Sequence, residues 1–163
     1  MKVINNFLTK EEHKKLEKDI MGPFFPWYYN DIVVYKNDPL GHFQFIHLFY
    51  ENNSLNKSNL FEMLRPIIDK IKPLSVLRIK ANLSSRTDKI IEHSFHTDFE
   101  NDDRITTGIF YVNTNNGYTK FKNNKLQKSV ANKFIEFNST ENHAGTSCTD
   151  ENVRVVINFN YIK

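Results

Sequence analysis

Two side chains that can bind a metal ion stand two positions apart in SFHTDFE, residues 94–100: His96 and Asp98. In a β-strand, residues i and i+2 lie on one face, so a strand here presents an imidazole and a carboxylate side by side. A third such group, His143, follows far downstream. Two imidazoles and one carboxylate can hold Fe(II) and leave its other coordination positions open. The alternative is a hydrogen-bonded His–Asp pair with a structural role.

The segment VRVVINFNYI, residues 153–162, bears on this choice because it contains Arg154, eleven positions after His143. If it is a strand, one set of residues can face the interior of a barrel while the other packs against helices. The sets are Arg154, Val156 and Asn158, and Val155, Ile157 and Phe159. An inward-facing guanidinium needs an anion, since burying it unpaired is costly. An anion site near the His and Asp residues makes the structural interpretation of the pair the weaker one.

The first half of the chain contains two helical patterns. Thr9 and Glu12 form a capping box, which predicts a charged surface helix over residues 9–20. A second helix is predicted after Asn59 as its cap, with Pro66 kinking it or starting a second piece. Its apolar residues recur at helical spacing: Leu60, Phe61, Leu64, Ile67, Ile68 and Ile71. Pro73 is predicted to end it.

Short β-rich segments follow Pro73: LSVLRIKANL, IIEHSFHTDF, RITTGIFYVNT, GYTKF, NKFIEF and VRVVINFNYI. Two earlier segments, PWYYNDIVVY and HFQFIHLFY, are predicted to add strands. Many short strands behind a helical pair favour a β-sandwich or jelly roll with helices packed on one face. Because the sequence contains neither a repeat nor a linker, its 163 residues are predicted to form a single domain.

Composition narrows the class of partner and the cell compartment. The net charge of +3, from 22 basic and 19 acidic residues spread along the chain, argues against nucleic-acid and membrane partners. Cys148 is the only cysteine, and the N-terminus lacks the apolar run of a signal peptide. The sequence therefore predicts a soluble, cytoplasmic protein, with an oligomeric state that the pattern leaves open.

Other residues that could react receive structural or surface roles: His13, His42, His47, His93 and Cys148. Two segments keep alternative interpretations. Residues 84–89, SSRTDK, form either a mobile loop at the rim of the site or a plain solvated loop. Residues 23–30, PFFPWYYN, either pack in the core, cover the mouth of the site and touch substrate, or stack a base, and packing is the favoured interpretation.

Taken in order, His96-x-Asp98, His143 and Arg154 resemble the signature of the 2-oxoglutarate/Fe(II)-dependent oxygenases. The segments IFYVN, NGYTKF and RVVINFNY are most similar to the prolyl 4-hydroxylase-like branch of that family. The resemblance implies a mainly β fold with flanking helices. Its core would be a double-stranded β-helix, a cupin-like jelly roll over about residues 74–163, and the helices from about residues 1–73 would pack on the major sheet.

The resemblance also implies roles for individual residues. The Fe(II) ligands, and with them the catalytic residues, would be His96, Asp98 and His143. Arg154 would bind the C5 carboxylate of 2-oxoglutarate in a bidentate manner. Further residues that would contact this cosubstrate are Tyr111, Asn82, Asn158 and Thr119.

Two of these assignments depart from the pattern of the family. Asn82 stands where relatives often carry a Tyr for the other end of 2-oxoglutarate. Tyr111, by contrast, matches the Tyr-Tyr-Leu-Asn-like strand of the family and would add its hydroxyl to the C5 carboxylate. The segment NNGYTKF keeps Gly117, Thr119 and Phe121 of a Gly-Gly-x-Thr pattern but lacks one glycine.

The implied reaction is hydroxylation of a C–H bond with 2-oxoglutarate and O2, releasing succinate and CO2. Asp98 favours hydroxylation over halogenation, because halogenases of the family replace this carboxylate by a small residue. The motifs leave open whether the substrate is a peptidyl proline, an amino-acid-like compound or another small molecule. One alternative is a non-catalytic metal-binding jelly-roll module. Another is a nucleic-acid demethylase, which the dispersed charge disfavours.

Overall fold

The computed structural model describes residues 1–36, 39, 42–52 and 58–163. Its helical segments are α1 Lys10–Ile20, a 3-10 helix Phe61–Leu64 and α2 Arg65–Ile71. Its strands are β1 Lys2–Ile4, β2 Tyr28–Asn30, β3 Gln44–Glu51, β4 Ser75–Ser85, β5 Ile105–Tyr111, β6 Tyr118–Phe121, β7 Leu126–Lys128, β8 Lys133–Asn138, β9 His143–Ala144 and β10 Val153–Ile162. With 11 and 7 residues, the two α-helices of the described part of the chain fall short of the ~20 apolar residues that a membrane span requires.

Helix α1 begins as the sequence predicts. The Thr9 hydroxyl accepts a hydrogen bond from the Glu12 backbone N–H at 3.3 Å, and the Thr9 backbone N–H donates to Glu12 Oε2 at 2.9 Å. These two bonds satisfy donors that the first turn of a helix cannot pair internally. Leu16 and Ile20 are buried, and they anchor the helix to the core.

The second helical segment is divided where proline stands. Pro66 lies in the first turn of α2, so a new helix begins there, and the 3-10 helix precedes it. Proline has no backbone N–H to donate, which is harmless in a first turn and disruptive in a helix interior. The prediction of Asn59 as a cap is wrong, because Leu60 occupies the cap position and makes no side-chain cap bond. Lys72, with φ of 52°, ends α2 in the left-handed conformation.

Seven strands form the major antiparallel sheet in the order β1-β8-β5-β10-β4-β3-β2, and β7-β6-β9 form a smaller sheet. One apolar core lies between the major sheet and the helices. Its members include Val155, Ile157 and Phe159 from β10, Leu16 and Ile20 from α1, and Ile67 from α2. A second apolar cluster joins the two sheets and includes Val156 and Phe121. The predicted alternation along β10 is therefore confirmed, as is the predicted jelly roll with helices on the major sheet.

Two predicted strands are wrong in part. The segment IIEHSFHTDF forms only isolated bridges, and the one at His96 pairs it with His143. The chain leaves that partner immediately, because the Asp98 N–H donates to the carbonyl of Ser139 instead. In PWYYNDIVVY only Tyr28–Asn30 is a strand. The Asn30 side chain accepts a hydrogen bond from the N–H of Ile32, which turns the chain away from the sheet.

Candidate active site

His96, Asp98 and His143 lie together although they do not share a strand. Their potential ligand atoms all lie within 4.8 Å of one another, and they form the one group of this kind among the described residues. The backbone brings the histidines together: the N–H of each donates to the carbonyl of the other, at 3.0 and 2.9 Å. Their ring centroids are 4.5 Å apart. The structure thus assembles the predicted ligand set by a bridge between an irregular segment and β9 rather than by alternation along one strand.

Hydrogen bonds orient both imidazoles toward a shared point. His96 Nδ1 lies 3.3 Å from the carbonyl oxygen of Ser94, and His143 Nδ1 lies 3.0 Å from that of Glu141. A backbone carbonyl can only accept, so each Nδ1 donates and each Nε2 keeps its lone pair. Burial lowers the pKa of His96, and His143 lowers it further. A neutral imidazole with a free Nε2 is the form that binds a metal.

Asp98 is held by three donors, and its side chain is only 3% exposed. Oδ1 accepts from Arg78 Nη2 at 3.1 Å, and Oδ2 accepts from Thr107 Oγ1 at 2.6 Å and from Asn160 Nδ2 at 2.9 Å. Burial by itself raises the pKa of Asp98, but His143, Arg78 and the hydrogen bonds together bring the pKa below its ordinary value. The carboxylate is therefore ionised and fixed in direction.

The three residues open onto a cavity of about 620 Å³. A pocket for a small organic ligand typically has a volume of roughly 300–1,000 Å³. Seven of the eight predicted site residues line it: Asn82, His96, Asp98, Thr119, His143, Arg154 and Asn158. Tyr111 does not line it, because this fully buried side chain lies against Thr119 and donates to Thr119 Oγ1 at 2.8 Å. A direct contact of Tyr111 with a bound carboxylate therefore needs a rotation of its hydroxyl away from Thr119.

Arg154 is a buried cation at one end of this cavity, with 4% of the residue exposed. Its Nε donates to Ser129 Oγ at 2.9 Å, and Nη2 donates to Thr119 Oγ1 at 3.4 Å. No carboxylate of the described residues pairs with it. Burial lowers the pKa of Arg154, whereas burial raises the pKa of Tyr111 to about 12, so the phenol beside the guanidinium remains protonated.

The residues fit a metal ion and a dicarboxylate in two respects. The two imidazoles and the carboxylate are the donor set that suits Fe(II). The buried guanidinium lacks a protein counter-ion among the described residues, and a bound carboxylate would supply one. Asn158 Oδ1 is also buried without a hydrogen-bond partner in the described structure, which marks a polar position that a ligand or water can complete.

Gly117 permits the close approach of Arg154. A Cβ at this position would lie 2.6 Å from Arg154 Cδ and 2.6 Å from the Ser147 carbonyl oxygen. We expect Gly117→Ala to displace Arg154 and to weaken 2-oxoglutarate binding about tenfold, because overpacking of this kind costs about 1–3 kcal/mol. Anaerobic titration of the Fe(II)-loaded protein measures the affinity. The matched control is Gly145→Ala, whose Cβ would lie 3.7 Å from Arg154 Nη1, an ordinary contact. Equal losses in both variants would contradict this explanation.

The sequence analysis missed the residues that support Asp98 and line the adjoining wall: Arg78, Lys80, Thr107 and Asn160. A signal for all four was present. Arg78 and Lys80 stand four and two positions before Asn82, and Asn160 stands two positions after Asn158. Residues two apart on a strand share a face, so the inward positions of β4 and β10 include them. Thr107, which sits on β5 opposite Asn160, had the same signal, because it stands four positions before Tyr111.

The residues given structural roles largely have them. His13 hydrogen-bonds the Val112 carbonyl, and His47 bonds the Pro26 carbonyl and the Ser58 hydroxyl. His93 lines the cavity without joining the three-residue group. Cys148 is buried.

Two segments with alternative interpretations have ordered contacts. Residues 84–89 are tied down, since Ser84 and Ser85 end β4 and Thr87 hydrogen-bonds Ser147, so the prediction of a loop is wrong for the first two. In residues 23–30, Phe25 and Trp27 pack against the core.

Comparisons with known proteins give matches by structure but none by sequence. No family model matches this sequence, and no curated protein matches it. Solved structures match it along nearly its whole length. A prolyl hydroxylase from Trichoplax adhaerens, in complex with a hypoxia inducible factor peptide fragment, is 14% identical, with a TM-score of 0.71 over 99% of this chain and 82% of that one.

Two bacterial structures extend this similarity. An oxidoreductase of the 2OG-Fe(II) oxygenase family from Burkholderia pseudomallei is 11% identical, with a TM-score of 0.63 over 98% of this chain and 82% of that one. The chain has the 2-oxoglutarate oxygenase fold. HygX from Streptomyces hygroscopicus, solved with nickel and 2-oxoglutarate bound, is 10% identical, with a TM-score of 0.63 over 98% and 81% of the two chains. The predicted similarity of fold to prolyl hydroxylases and other 2-oxoglutarate oxygenases is thus confirmed.

Proposed function

We propose that this protein is a 2-oxoglutarate- and O2-dependent Fe(II) oxygenase that hydroxylates a C–H bond and releases succinate and CO2. The observation that carries the proposal is the joint geometry of one cavity. His96, Asp98 and His143 meet in it, and the buried Arg154 lines it with no counter-ion among the described residues. A non-catalytic metal module would need the first group but not an unpaired guanidinium in the same cavity.

Each residue has a stated part in binding. His96 and His143 would hold Fe(II) through Nε2, and Asp98 would hold it through a carboxylate oxygen. Hydrogen bonds from Arg78, Thr107 and Asn160 fix the orientation of that carboxylate. When bound, Fe(II) with 2-oxoglutarate supplies the chemistry that couples decarboxylation to succinate with transfer of one oxygen atom of O2 to the substrate. Arg154 would bind the C5 carboxylate, with Thr119 beside it.

Other cavity residues would limit the access of water. Val33, Val34 and Tyr35 form part of the cavity wall. Three hydrogen bonds fix this segment: Gln44 Nε2 donates to the carbonyls of Ile32 and Val33, and the Tyr35 hydroxyl donates to the carbonyl of Phe95 at 3.1 Å. The segment is therefore a fixed part of the cavity wall, which would help to exclude water from a reactive centre.

The substrate class, the domain organisation and the cell compartment belong to the same proposal. The substrate is a peptidyl proline, an amino-acid-like compound or another small molecule, and one structure of similar fold holds a peptide. Residues 1–163 would form one oxygenase domain, since α1 and α2 share a core with β10. A cytoplasmic location, in which the single cysteine stays reduced, remains a prediction.

Anaerobic titration tests the proposal before any substrate is known. Adding Fe(II) and then 2-oxoglutarate to the folded protein is expected to produce the weak visible charge-transfer band of an iron-bound 2-oxo acid. Substrate candidates are then scored by succinate release and by product mass. A folded protein that gives no band, and no heat of 2-oxoglutarate binding in calorimetry, would contradict the assignment.

A further inference from the structure

Lys80 is a cation inside the cavity that the proposed reaction does not use. It lies on β4 between Arg78 and Asn82, and all three side chains line the cavity wall. Its register partner on β10 is Asn158. The Lys80 ammonium makes no hydrogen bond or ion pair with the described residues. Lysine is partly buried here, and burying an ammonium without a counter-ion carries a desolvation cost.

The other charged groups of the cavity have different assignments. Arg78 pairs with Asp98 at 3.1 Å, which satisfies both charges. Arg154 would be satisfied by the C5 carboxylate of 2-oxoglutarate. Glu100 lines the cavity as an exposed residue and makes no ion pair within the described structure. Lys80 is thus the one inward-facing cation of the described cavity wall for which neither the protein nor the proposed cosubstrate supplies a partner.

The position of Lys80 relates it to the reacting end of the cavity. It stands two positions after Arg78 on β4, on the same face of the strand, and Arg78 donates to Asp98 at 3.1 Å, so Lys80 lines the wall next to a proposed metal ligand. Arg154 lies opposite Ser84, which is four residues further along β4 than Lys80. Strand geometry therefore separates the Lys80 and Arg154 positions by about 13 Å. The C1 carboxylate of 2-oxoglutarate would have its charge balanced by the metal that it binds. Lys80 is therefore available to pair with a second anion that binds near the metal.

The surroundings of Lys80 suit a ligand that carries both a carboxylate and a hydrogen-bond donor. Asn158 Oδ1, in the register position opposite, is buried without a partner in the described residues and can accept from an N–H or O–H donor. The Asn82 side chain, one inward position along β4, lines the same wall. A single ammonium matches a single negative charge, whereas phosphate sites in proteins usually present arginine forks or several backbone N–H groups.

We propose that Lys80 binds a carboxylate of the substrate that is hydroxylated, so that the substrate class is a small acid or free amino acid rather than a peptidyl proline, which has no acid group. This inference rests on the proposed function and narrows it. The cavity volume of about 620 Å³ leaves room for a second small molecule beside a five-carbon diacid. Lys80 is then a specificity residue, which holds the acid group while the C–H bond faces the metal.

The test compares acids with their uncharged analogues. Free L-amino acids and small carboxylic acids, each with its carboxamide, are titrated into the anaerobic Fe(II)/2-oxoglutarate protein, and the shift of the charge-transfer band reports binding. At least one acid is expected to bind the wild-type protein at least tenfold more tightly than its amide. Lys80→Met should lower the affinity for that acid at least tenfold and leave the affinity for 2-oxoglutarate within twofold of the wild-type value. Lys80→Arg should retain part of the affinity for the acid.

The controls separate the possible failures. Lys128→Met removes an exposed lysine of β7 and should change neither affinity. If no acid binds, or acids bind Lys80→Met as well as the wild type, the inference is overturned while the proposed function stands. If Lys80→Met weakens 2-oxoglutarate itself, Lys80 serves the cosubstrate and the inference is also overturned. If the wild-type protein gives no charge-transfer band, both the inference and the proposed function are overturned.

Discussion

Replacing Asp98 with alanine is expected to abolish Fe(II)-dependent succinate release. The carboxylate is the one anionic member of the three-residue group, so its loss removes the charge that would stabilise a divalent cation between two neutral imidazoles. We expect metal affinity to fall at least about tenfold, the lower end of the effect of losing a residue that supports a metal site. Calorimetric titration with Fe(II) or Ni(II) measures the affinity, and succinate release measures the activity.

The fold of the variant needs its own control, because Asp98 also partners Arg78, Thr107 and Asn160. Alanine leaves the Arg78 guanidinium without a counter-ion, which is destabilising in a partly buried position. Asp98→Asn keeps the shape and one acceptor oxygen, and should lose metal binding with a smaller loss of thermal stability. Asp69→Ala changes an exposed carboxylate of α2 and should alter neither property. Full turnover in a folded Asp98→Ala protein would refute the ligand assignment.

The parts of the site that the sequence predicted depend on local pattern. The alternation from Arg154 to Phe159 is periodic, so the inward and outward faces of β10 follow directly from it. The capping box at Thr9 and Glu12 is equally local. In both places the predicted arrangement and the structure agree because neighbours in sequence determine it.

The prediction failed where long-range pairing decides the backbone path. His96 and Asp98 were predicted to share a strand face, yet the chain makes one bridge to His143 and then a bond to Ser139. Residue identity was sufficient to choose three residues that meet, but not to give the backbone path that brings them together. Tyr111 shows the same limit, because its orientation toward Thr119 depends on packing between two sheets.

The missed residues explain how the ligand set is held. Arg78 and Asn160 lie opposite each other in the β4–β10 register, and Arg78 Nε donates to Asn160 Oδ1 at 3.0 Å. Both also donate to Asp98, so a pair of neighbouring strands in the major sheet fixes a carboxylate that the loop after His96 supplies. The rigid sheet therefore positions a residue from an irregular segment, which is how a loop can carry a well-defined metal ligand.

Arg154→Met is expected to weaken 2-oxoglutarate binding by about 30-fold or more. Truncating one partner of a buried, hydrogen-bonded charge pair costs about 2–5 kcal/mol, and about 1.4 kcal/mol corresponds to a factor of ten. The same change should not destabilise the ligand-free protein. There the guanidinium is buried without a counter-ion in the described structure, so a neutral side chain of similar length should leave the melting temperature unchanged or raise it. Anaerobic titration and thermal melts of the apo protein measure the two effects.

Two further variants make this prediction specific to the guanidinium. Arg154→Lys keeps the charge but loses the planar fork, so its affinity for 2-oxoglutarate should fall between those of Arg154→Met and the wild type. Arg65→Met removes an exposed arginine whose partner is Glu62, and should change neither 2-oxoglutarate affinity nor, by more than a small amount, stability. If the apo protein with Arg154→Met melts well below the wild type, Arg154 supports the fold through its bonds to Ser129 and Thr119, and the argument from an unpaired buried cation is wrong.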